Sequence, residues 1–249
     1  MKKPGLLLIF IMTALFSGIA QPNERIWIDD DIQLLPLQDS VYVHISWHQT
    51  APFGRFSSNG MLLIRKGKAL MIDTPMDNDK TQSLTAYLKD SMSVELTTLI
   101  IGHFHDDCMG GLSYLQEIGI ESIANAMTIE KCKEIGLPLP SRSFSDSLTI
   151  DFFGEQVNCR YFGAGHSFDN ITVWFPQMQL LFGGCLVKSM HSNGLGNLSD
   201  AVVDDWDTTL MKLMKAYPEM HTVIPGHGEI GGIELLDHTL ELVAKEKRK

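Results

Sequence analysis

Residues 99–107 read Leu99-Ile100-Ile101-Gly102-His103-Phe104-His105-Asp106-Asp107, an apolar run that leads directly into three potential metal ligands. His103, His105 and Asp107 occupy alternate positions, so a turn at the end of a buried strand lets all three converge on one small volume. Two imidazoles and a carboxylate suit a borderline ion such as zinc, and an incomplete protein shell leaves room for the water of a catalytic site. The alternative is that these histidines are solvated or capping groups at a strand end.

Three further potential ligands stand at strand-to-loop junctions downstream. His166 lies in Gly163-Ala164-Gly165-His166, Cys185 in Gly183-Gly184-Cys185, and His227 in Pro225-Gly226-His227-Gly228. Glycines at these points let the backbone bend tightly beside a ligand. Because strand ends line up along one edge of a sheet, we expect these side chains to meet the 103–107 cluster.

The six side chains divide by chemistry into two candidate metal sets, with His103, His105 and His166 in the first set and Asp107, Cys185 and His227 in the second set. Three histidines match a hydrolytic zinc site. The second set is softer, because its thiolate favours zinc over magnesium or calcium. For Cys185, a buried and inert thiol is the alternative.

The N-terminus has the pattern of a secretory signal peptide. Two lysines precede an apolar run over residues 6–16, and small residues then lead to Ala20. The run is shorter than the roughly 20 apolar residues of a membrane-spanning helix, which disfavours a membrane anchor. We therefore expect a signal peptide at residues 1–20, one mature domain at residues 21–249, a periplasmic location and no stable membrane association.

The chain is acidic, with a formal net charge of −10 at pH 7. Loss of the two signal-peptide lysines makes the mature protein more acidic still. Such a charge argues against nucleic acid or an anionic membrane as a partner. An anionic substrate therefore requires local positive charge, which zinc ions and a well-placed lysine supply.

The predicted export raises the question of whether the four cysteines form disulfides. They are Cys108, Cys132, Cys159 and Cys185. In an oxidising compartment an even count is typical of disulfides, so two bridges are one interpretation. A domain of this size does not need such crosslinks, and two of the cysteines lie in or beside the ligand motifs. We favour at least one thiolate ligand.

The remaining pattern predicts strands followed by helices, twice over. In the first half we expect strands at 32–37, 41–47, 60–65, 69–73 and 96–101, and helices at 78–89, 111–117 and 127–135. A loop near 141–145 leads to the second half, with strands at 148–153, 156–162, 171–175, 179–182 and 222–224, and helices at 205–216 and 233–247. The order predicts an α/β fold, a four-layer αββα sandwich with two similar halves.

One long segment of the first half, residues 49–58, shows no periodicity. It carries Phe53 and Phe56 and is preceded by Trp47. A loop that exposes aromatic side chains is often a substrate lid, although single surface aromatics are also common. We expect a mobile loop here.

The motifs together resemble those of class B metallo-β-lactamases, in particular the di-zinc enzymes of the first subclass. The resemblance covers essentially the whole mature chain. It rests on His103-Phe104-His105-Asp106-Asp107, Gly165-His166, Gly184-Cys185-Leu186-Val187-Lys188, Gly196-Asn197-Leu198-Ser199-Asp200-Ala201 and Pro225-Gly226-His227-Gly228. The Asp107-Cys108 pair and the Gly196-Asn197 segment are similar to carbapenem-hydrolysing members such as those from Bacteroides.

The resemblance implies a monomeric enzyme with two zinc ions per chain. Its expected reaction is hydrolysis of the β-lactam amide bond in penicillins, cephalosporins and carbapenems, which gives antibiotic resistance. Asp107 would bind the second metal and orient the nucleophile, Lys188 would pair with the substrate carboxylate, and Asn197 would donate a hydrogen bond to the carbonyl oxygen. A solvated lysine and a turn asparagine are the ordinary alternatives.

The resemblance also assigns supporting roles. Trp47, Phe53 and Phe56 fall in the segment that corresponds to an apolar flap over the substrate. Asp73 matches an aspartate beneath the metal floor, where it would orient ligands. Cys108 follows the last ligand of the first motif and would support the ligands without binding metal.

Two other functions share the fold or the ligands. One is a zinc-dependent thioester or lactone hydrolase, because the superfamily fold carries many hydrolases. Such enzymes typically have a histidine after the aspartate and a second bridging aspartate, where this chain has Cys108 and Cys185. The other is a non-catalytic zinc-binding periplasmic protein, which the complete ligand set disfavours.

Overall fold

Two packed β-sheets form the centre of the fold in the computed structural model, which describes residues 24–38, 40–51 and 54–249. The predicted signal peptide and the predicted flap residue Phe53 lie outside the described residues. None of the helices in the described ranges combines the length and the apolar character needed to cross a membrane.

The first sheet contains eight strands in chain order: β1 (Ile26–Trp27), β2 (Ile32–Gln38), β3 (Val41–Thr50), β4 (Gly54–Arg65), β5 (Lys68–Ile72), β6 (Glu95–Ile100), β7 (Glu121–Asn125) and β8 (Arg142–Phe144). Strands β1 to β5 pair antiparallel, and β5 to β8 pair parallel. Parallel neighbours require crossover connections. Helices lie in two of these crossovers: α1 (Asn78–Asp90) between β5 and β6, then α2 (Asp106–Met109) and α3 (Leu112–Glu117) between β6 and β7. The third crossover, between β7 and β8, contains helix α4 (Ala126–Ile135).

The second sheet has the spatial order β13, β12, β11, β10, β9. Its strands are β9 (Ser147–Phe152), β10 (Glu155–Arg160), β11 (Thr172–Phe175), β12 (Leu180–Gly184) and β13 (Thr222–Pro225). Only β12 and β13 pair parallel, and helix α5 (Val203–Ala216) connects them. Helix α6 (Glu234–Glu246) follows β13.

Three apolar clusters hold these layers together. Val43 and Phe182, both at most 1% exposed, belong to the cluster between the two sheets. Leu84 and Leu112 pack under the helices of the first sheet, and Trp206 of α5 packs on the second sheet. The order helix, sheet, sheet, helix confirms the predicted four-layer αββα sandwich.

The prediction of a loop over residues 49–58 is wrong. Strand β3 continues to Thr50 and β4 begins at Gly54, with His48 opposite Phe56 in the register. The two strands satisfy each other's backbone groups, so they form a long hairpin. Many of its side chains are partly exposed, and apolar and polar residues do not alternate along this stretch. The sequence pattern therefore does not reveal the two strands.

The loop predicted at 141–145 also contains a strand. β8 pairs with β7 through three residues at the edge of the first sheet. Short edge strands carry little apolar signal, because only one side of them pairs and their side chains are largely solvated. The connection between the two halves is therefore shorter than the sequence predicts.

Candidate metal centre

The six predicted ligands lie at one edge of the sandwich, where several strands end. His103, His105 and Asp107 follow β6, His166 follows β10, Cys185 directly follows β12, and His227 follows β13. The short helix α2 begins after His105 and turns Asp107 back toward the cluster. The structure thus brings together side chains from four separate strand-to-loop junctions.

The three histidines of the first set face one another. Nε2 of His103 lies 2.8 Å from Nδ1 of His105. The ring of His166 is centred 4.9 Å from that of His103 and 5.2 Å from that of His105, with both pairs nearly perpendicular. Ligand atoms of His103 and His166 also lie within 4.8 Å of each other.

The second set is equally close. Nε2 of His227 lies 3.1 Å from Oδ2 of Asp107 and 3.4 Å from Sγ of Cys185. Sγ of Cys185 lies 3.7 Å from the same carboxylate oxygen. Cys185 also joins the two sets, because its ligand atom lies within 4.8 Å of ligand atoms of His103 and His166.

These donors fit zinc. Ligands bound at about 2.0 to 2.3 Å in tetrahedral geometry stand roughly 3 to 4 Å from one another. The spacings within the second set fall in that range. Imidazole, thiolate and carboxylate together match the ligand preference of zinc rather than that of magnesium or calcium.

The charges of the second set also complement a cation. Burial alone would raise the pKa of Asp107, but the hydrogen bond and charge of His227 hold that pKa well below its usual range. A hydrogen bond from the Cys108 thiol, aided by the charge of His227, keeps the pKa of Cys185 well below that of a normal thiol. Burial opposes protonation of His227, yet the two anions beside it raise its pKa. A positive charge is therefore favoured between Asp107 and Cys185, where a metal ion would supply it.

Contacts behind the ligands fix their orientation. Nδ1 of His227 lies 2.8 Å from the carbonyl oxygen of Ser57, so it carries the proton and Nε2 faces Asp107. On the other side, Nε2 of His105 lies 3.1 Å from Oδ2 of Asp200. Outer partners of this kind select the tautomer of a ligating histidine.

Asp73 and Cys108 lie beneath the cluster, as the resemblance predicts. Oδ1 of Asp73 accepts a hydrogen bond of 2.6 Å from the backbone N–H of Gly102, one residue before His103. Asp73 itself adopts φ +58°, an unfavourable region for a residue with a side chain. Sγ of Cys108 lies 3.1 Å from Nδ1 of His103. Both residues thereby support the first ligand motif.

None of the four cysteines, all of which are described, forms a disulfide. The interpretation with two bridges is therefore wrong. Burial raises the pKa of Cys159 to about 12, which leaves that thiol protonated and inert. Cys185 differs because it faces ligands rather than apolar side chains.

A cavity of about 450 Å³ opens over the cluster. Its walls include Phe56, Met76, Lys188 and Asn197. Lys188 is buried, with its Nζ 5.3 Å from the ring centre of Trp206. The structure therefore gathers the predicted substrate-binding residues Lys188 and Asn197 beside the predicted ligands.

Trp47 lies elsewhere. It lines a separate cavity of about 400 Å³, with the guanidinium of Arg55 5.2 Å from its ring centre. Successive side chains of a strand point to opposite faces. In the hairpin, His48 pairs with Phe56 on the face of the metal cluster, and Trp47 therefore points away from it. The contact of Trp47 with the substrate stays a prediction, and the structure places this residue in the other cavity rather than over the ligands.

Sequence reasoning missed two residues of this region. Asp200 contacts His105 although 95 residues separate them. Asn59 donates from Nδ2 to the carbonyl oxygens of Pro225 and Gly228, 2.9 and 2.8 Å away, and so fixes the loop that carries His227. Asp200 stands in the Gly196 to Ala201 motif, but no local pattern distinguishes it from a surface carboxylate.

No family model matches the chain, but the chain is similar to several metallo-β-lactamases. The chain is 42% identical to the metallo-β-lactamase type 2 of Bacteroides fragilis, over 94% of this chain and 95% of that protein. It is 37% identical to the metallo-β-lactamase type 2 of Bacillus cereus, over 85% and 82% of the two chains. Its fold matches the crystal structure of VMB-1 with a TM-score of 0.83, at 34% identity over 88% and 99% of the two chains.

Proposed function

The chain belongs to the metallo-β-lactamase family and hydrolyses the amide bond of β-lactams, and we propose that it does so with two zinc ions bound by the six ligands. The first ion would be held by His103, His105 and His166, and the second by Asp107, Cys185 and His227. One observation carries this assignment, namely that the three histidines of the first set and the three ligands of the second set lie side by side under a cavity that also presents Lys188 and Asn197. The similarity to named metallo-β-lactamases does not favour a thioester or lactone hydrolase.

Zinc, when bound, supplies a Lewis acid for the lactam carbonyl and lowers the pKa of a coordinated water from about 15.7 to about 7. The residues of the chain then have to bind the substrate and direct its carbonyl group. Asp107 would bind the second ion through one carboxylate oxygen and orient the attacking water through the other. No free histidine is then needed as a general base, because the zinc-bound water already has a lowered pKa.

Lys188 would bind the carboxylate that β-lactams carry. Burial lowers the pKa of its ammonium group, while the nearby Cys185 and Asp107 oppose that effect. No carboxylate forms an ion pair with Lys188 in the described part of the chain. A substrate carboxylate would supply the missing charge-assisted hydrogen bond, and this gain favours binding of anionic substrates to an acidic protein.

Asn197 would donate to the lactam carbonyl oxygen. Its Oδ1 accepts a 3.1 Å hydrogen bond from the backbone N–H of Ser199, which orients the side-chain amide. The NH₂ group is then the part of the amide that can stabilise negative charge on the carbonyl oxygen. Because this charge grows during attack, the contact would strengthen toward the transition state.

Three finer features are part of the proposal: the range of substrates, the location in the cell and the oligomeric state. We propose that penicillins, cephalosporins and carbapenems are all substrates, because Phe56 and Met76 offer apolar surface while recognition centres on the shared carboxylate and lactam. The N-terminal pattern supports export to the periplasm after cleavage near Ala20. A monomer fits the location of both ligand sets within one chain.

The test is hydrolysis of a penicillin, a cephalosporin and a carbapenem by the mature protein before and after chelation, with zinc then added back. We expect turnover that chelation abolishes and zinc restores, with two zinc ions per chain by metal analysis. Cys185→Ser should bind the second ion more weakly, whereas Cys159→Ala should keep both. Turnover of a thioester or lactone without turnover of any β-lactam would contradict the assignment.

A further inference from the structure

Asp169 contacts the first ligand motif from behind. Its side chain is fully buried. Oδ2 accepts hydrogen bonds from the backbone N–H of Phe104, at 3.0 Å, and from Oγ1 of Thr128, at 2.7 Å. Phe104 stands between His103 and His105, so this bond attaches the carboxylate to the centre of the motif.

A second bond joins the same two segments. The backbone N–H of Ile171 donates to the carbonyl oxygen of Gly102 over 2.9 Å. Gly102 and Phe104, the residues on either side of His103, are therefore both hydrogen-bonded to residues 169–171. That segment begins three residues after His166, the third ligand of the first set.

We propose that Asp169 is a positioning residue, which sets the separation between His166 and the pair His103 and His105. Asp169 touches none of the three imidazoles through a hydrogen bond and acts through the backbone of Phe104. The inference rests on the proposed function of the first set as a zinc site. A displaced ligand weakens metal binding even when every ligand is present.

The unequal use of the two carboxylate oxygens supports this role. Oδ1 of Asp169 is buried and has no hydrogen-bond partner among the described residues. Burying an unpaired polar atom costs free energy. Among the described residues, the bonds from Phe104 and Thr128 to Oδ2 are therefore the ones that hold the carboxylate.

Thr128 holds the carboxylate in place. It is fully buried in the first turn of α4, and its hydroxyl makes the shorter of the two bonds to Asp169. Thr172 offers a matched control, because it is also buried but its hydroxyl has no partner among the described residues. Replacing either threonine by valine removes one hydroxyl at nearly constant volume.

The experiment compares Asp169→Ala, Asp169→Asn, Thr128→Val and Thr172→Val with the wild type. Zinc affinity is measured by competition with a chromogenic chelator, and ligand geometry by the absorption spectrum of the cobalt-substituted protein. Asp169→Ala should weaken binding of the first zinc by about 10-fold or more and alter the cobalt spectrum. Asp169→Asn keeps an acceptor oxygen and should recover part of the loss.

Thr128→Val should weaken zinc binding more than Thr172→Val, which should match the wild type. A folded Asp169→Ala variant with the zinc affinity and cobalt spectrum of the wild type would overturn the inference. If that variant does not fold, equal zinc affinities of the two valine variants would overturn it instead. A wild type that binds zinc but hydrolyses no β-lactam would contradict the proposed function alone, since the affinities still decide the role of Asp169.

Discussion

Nε2 of His105 lies 3.1 Å from Oδ2 of Asp200, which links a predicted zinc ligand to the loop that carries Asn197. The hydrogen bond of His105 lowers the pKa of Asp200 although its partial burial acts in the opposite direction. Asp200 is therefore a carboxylate and can only accept, so the proton of His105 resides on Nε2. Nδ1 is left to face the metal site.

We expect Asp200→Asn to weaken binding of the first zinc by about 10-fold, because an amide can donate to Nε2 as well as accept from it and so no longer fixes this tautomer. Chelator competition at pH 7 measures the effect. Asp90→Asn, at the exposed end of α1, is the control and should match the wild type. Equal zinc affinities of the two variants would contradict the proposed role of Asp200.

Lys188→Ala should lower kcat/KM for anionic β-lactams. A hydrogen bond to a charged group contributes about 1.5 to 3 kcal/mol, which corresponds to a loss of roughly 10- to 100-fold. Steady-state kinetics with a chromogenic cephalosporin checks the effect, with Lys212→Ala on the exposed side of α5 as the control. If Lys188 is only structural, KM will stay unchanged while thermal stability falls.

Phe56 and Trp47 should differ in their effect on substrate binding. The ring of Phe56 lies 5.9 Å from that of His227 and lines the cavity over the ligands, whereas Trp47 lines the other cavity. Phe56→Ala should raise KM about 3- to 10-fold for β-lactams with aromatic side chains, in line with the usual contribution of an aromatic contact. Trp47→Ala should leave KM close to that of the wild type. The opposite ranking of KM values would show that the hairpin presents its other face to the substrate.

His44 should make the zinc-free protein less stable in acid. It is buried, and its Nε2 lies 3.0 Å from the carbonyl oxygen of Asp73. Burial lowers the pKa of His44 to about 4, while an unfolded histidine titrates near 6.5. Between these values the unfolded state binds more protons, so this contribution to stability is complete above about pH 6.5 and is lost as the pH falls toward 4.

The size of this loss is about 3 kcal/mol, since one pKa unit corresponds to about 1.4 kcal/mol. Urea unfolding of the zinc-free protein at pH 7 and pH 4.5 measures the free energy of unfolding. His44→Gln retains an N–H donor and should reduce the difference between the two pH values, whereas His221→Gln at an exposed position should not. An unchanged difference in His44→Gln would assign the acid sensitivity to other groups.

Much of the fold and all six candidate ligands could be predicted from the sequence. The boundaries of α1 and α5 agree with their patterns to within two residues, because each has a regular apolar face. The hairpin of β3 and β4 could not be predicted in full, since cross-strand hydrogen bonds rather than apolar alternation extend it to Thr50 and Gly54.

The ligand types and their position at strand ends are local properties, and the sequence by itself determined them. Only the tertiary structure decided which side chains support these ligands. Asp200 and Asp169 lie 95 and 65 residues from their partners in the first motif, and strand alternation turns Trp47 away from the cavity. The physical reason is that a carboxylate on the surface and one behind a metal ligand have the same local sequence signal, and only the packing of the two sheets brings their loops together.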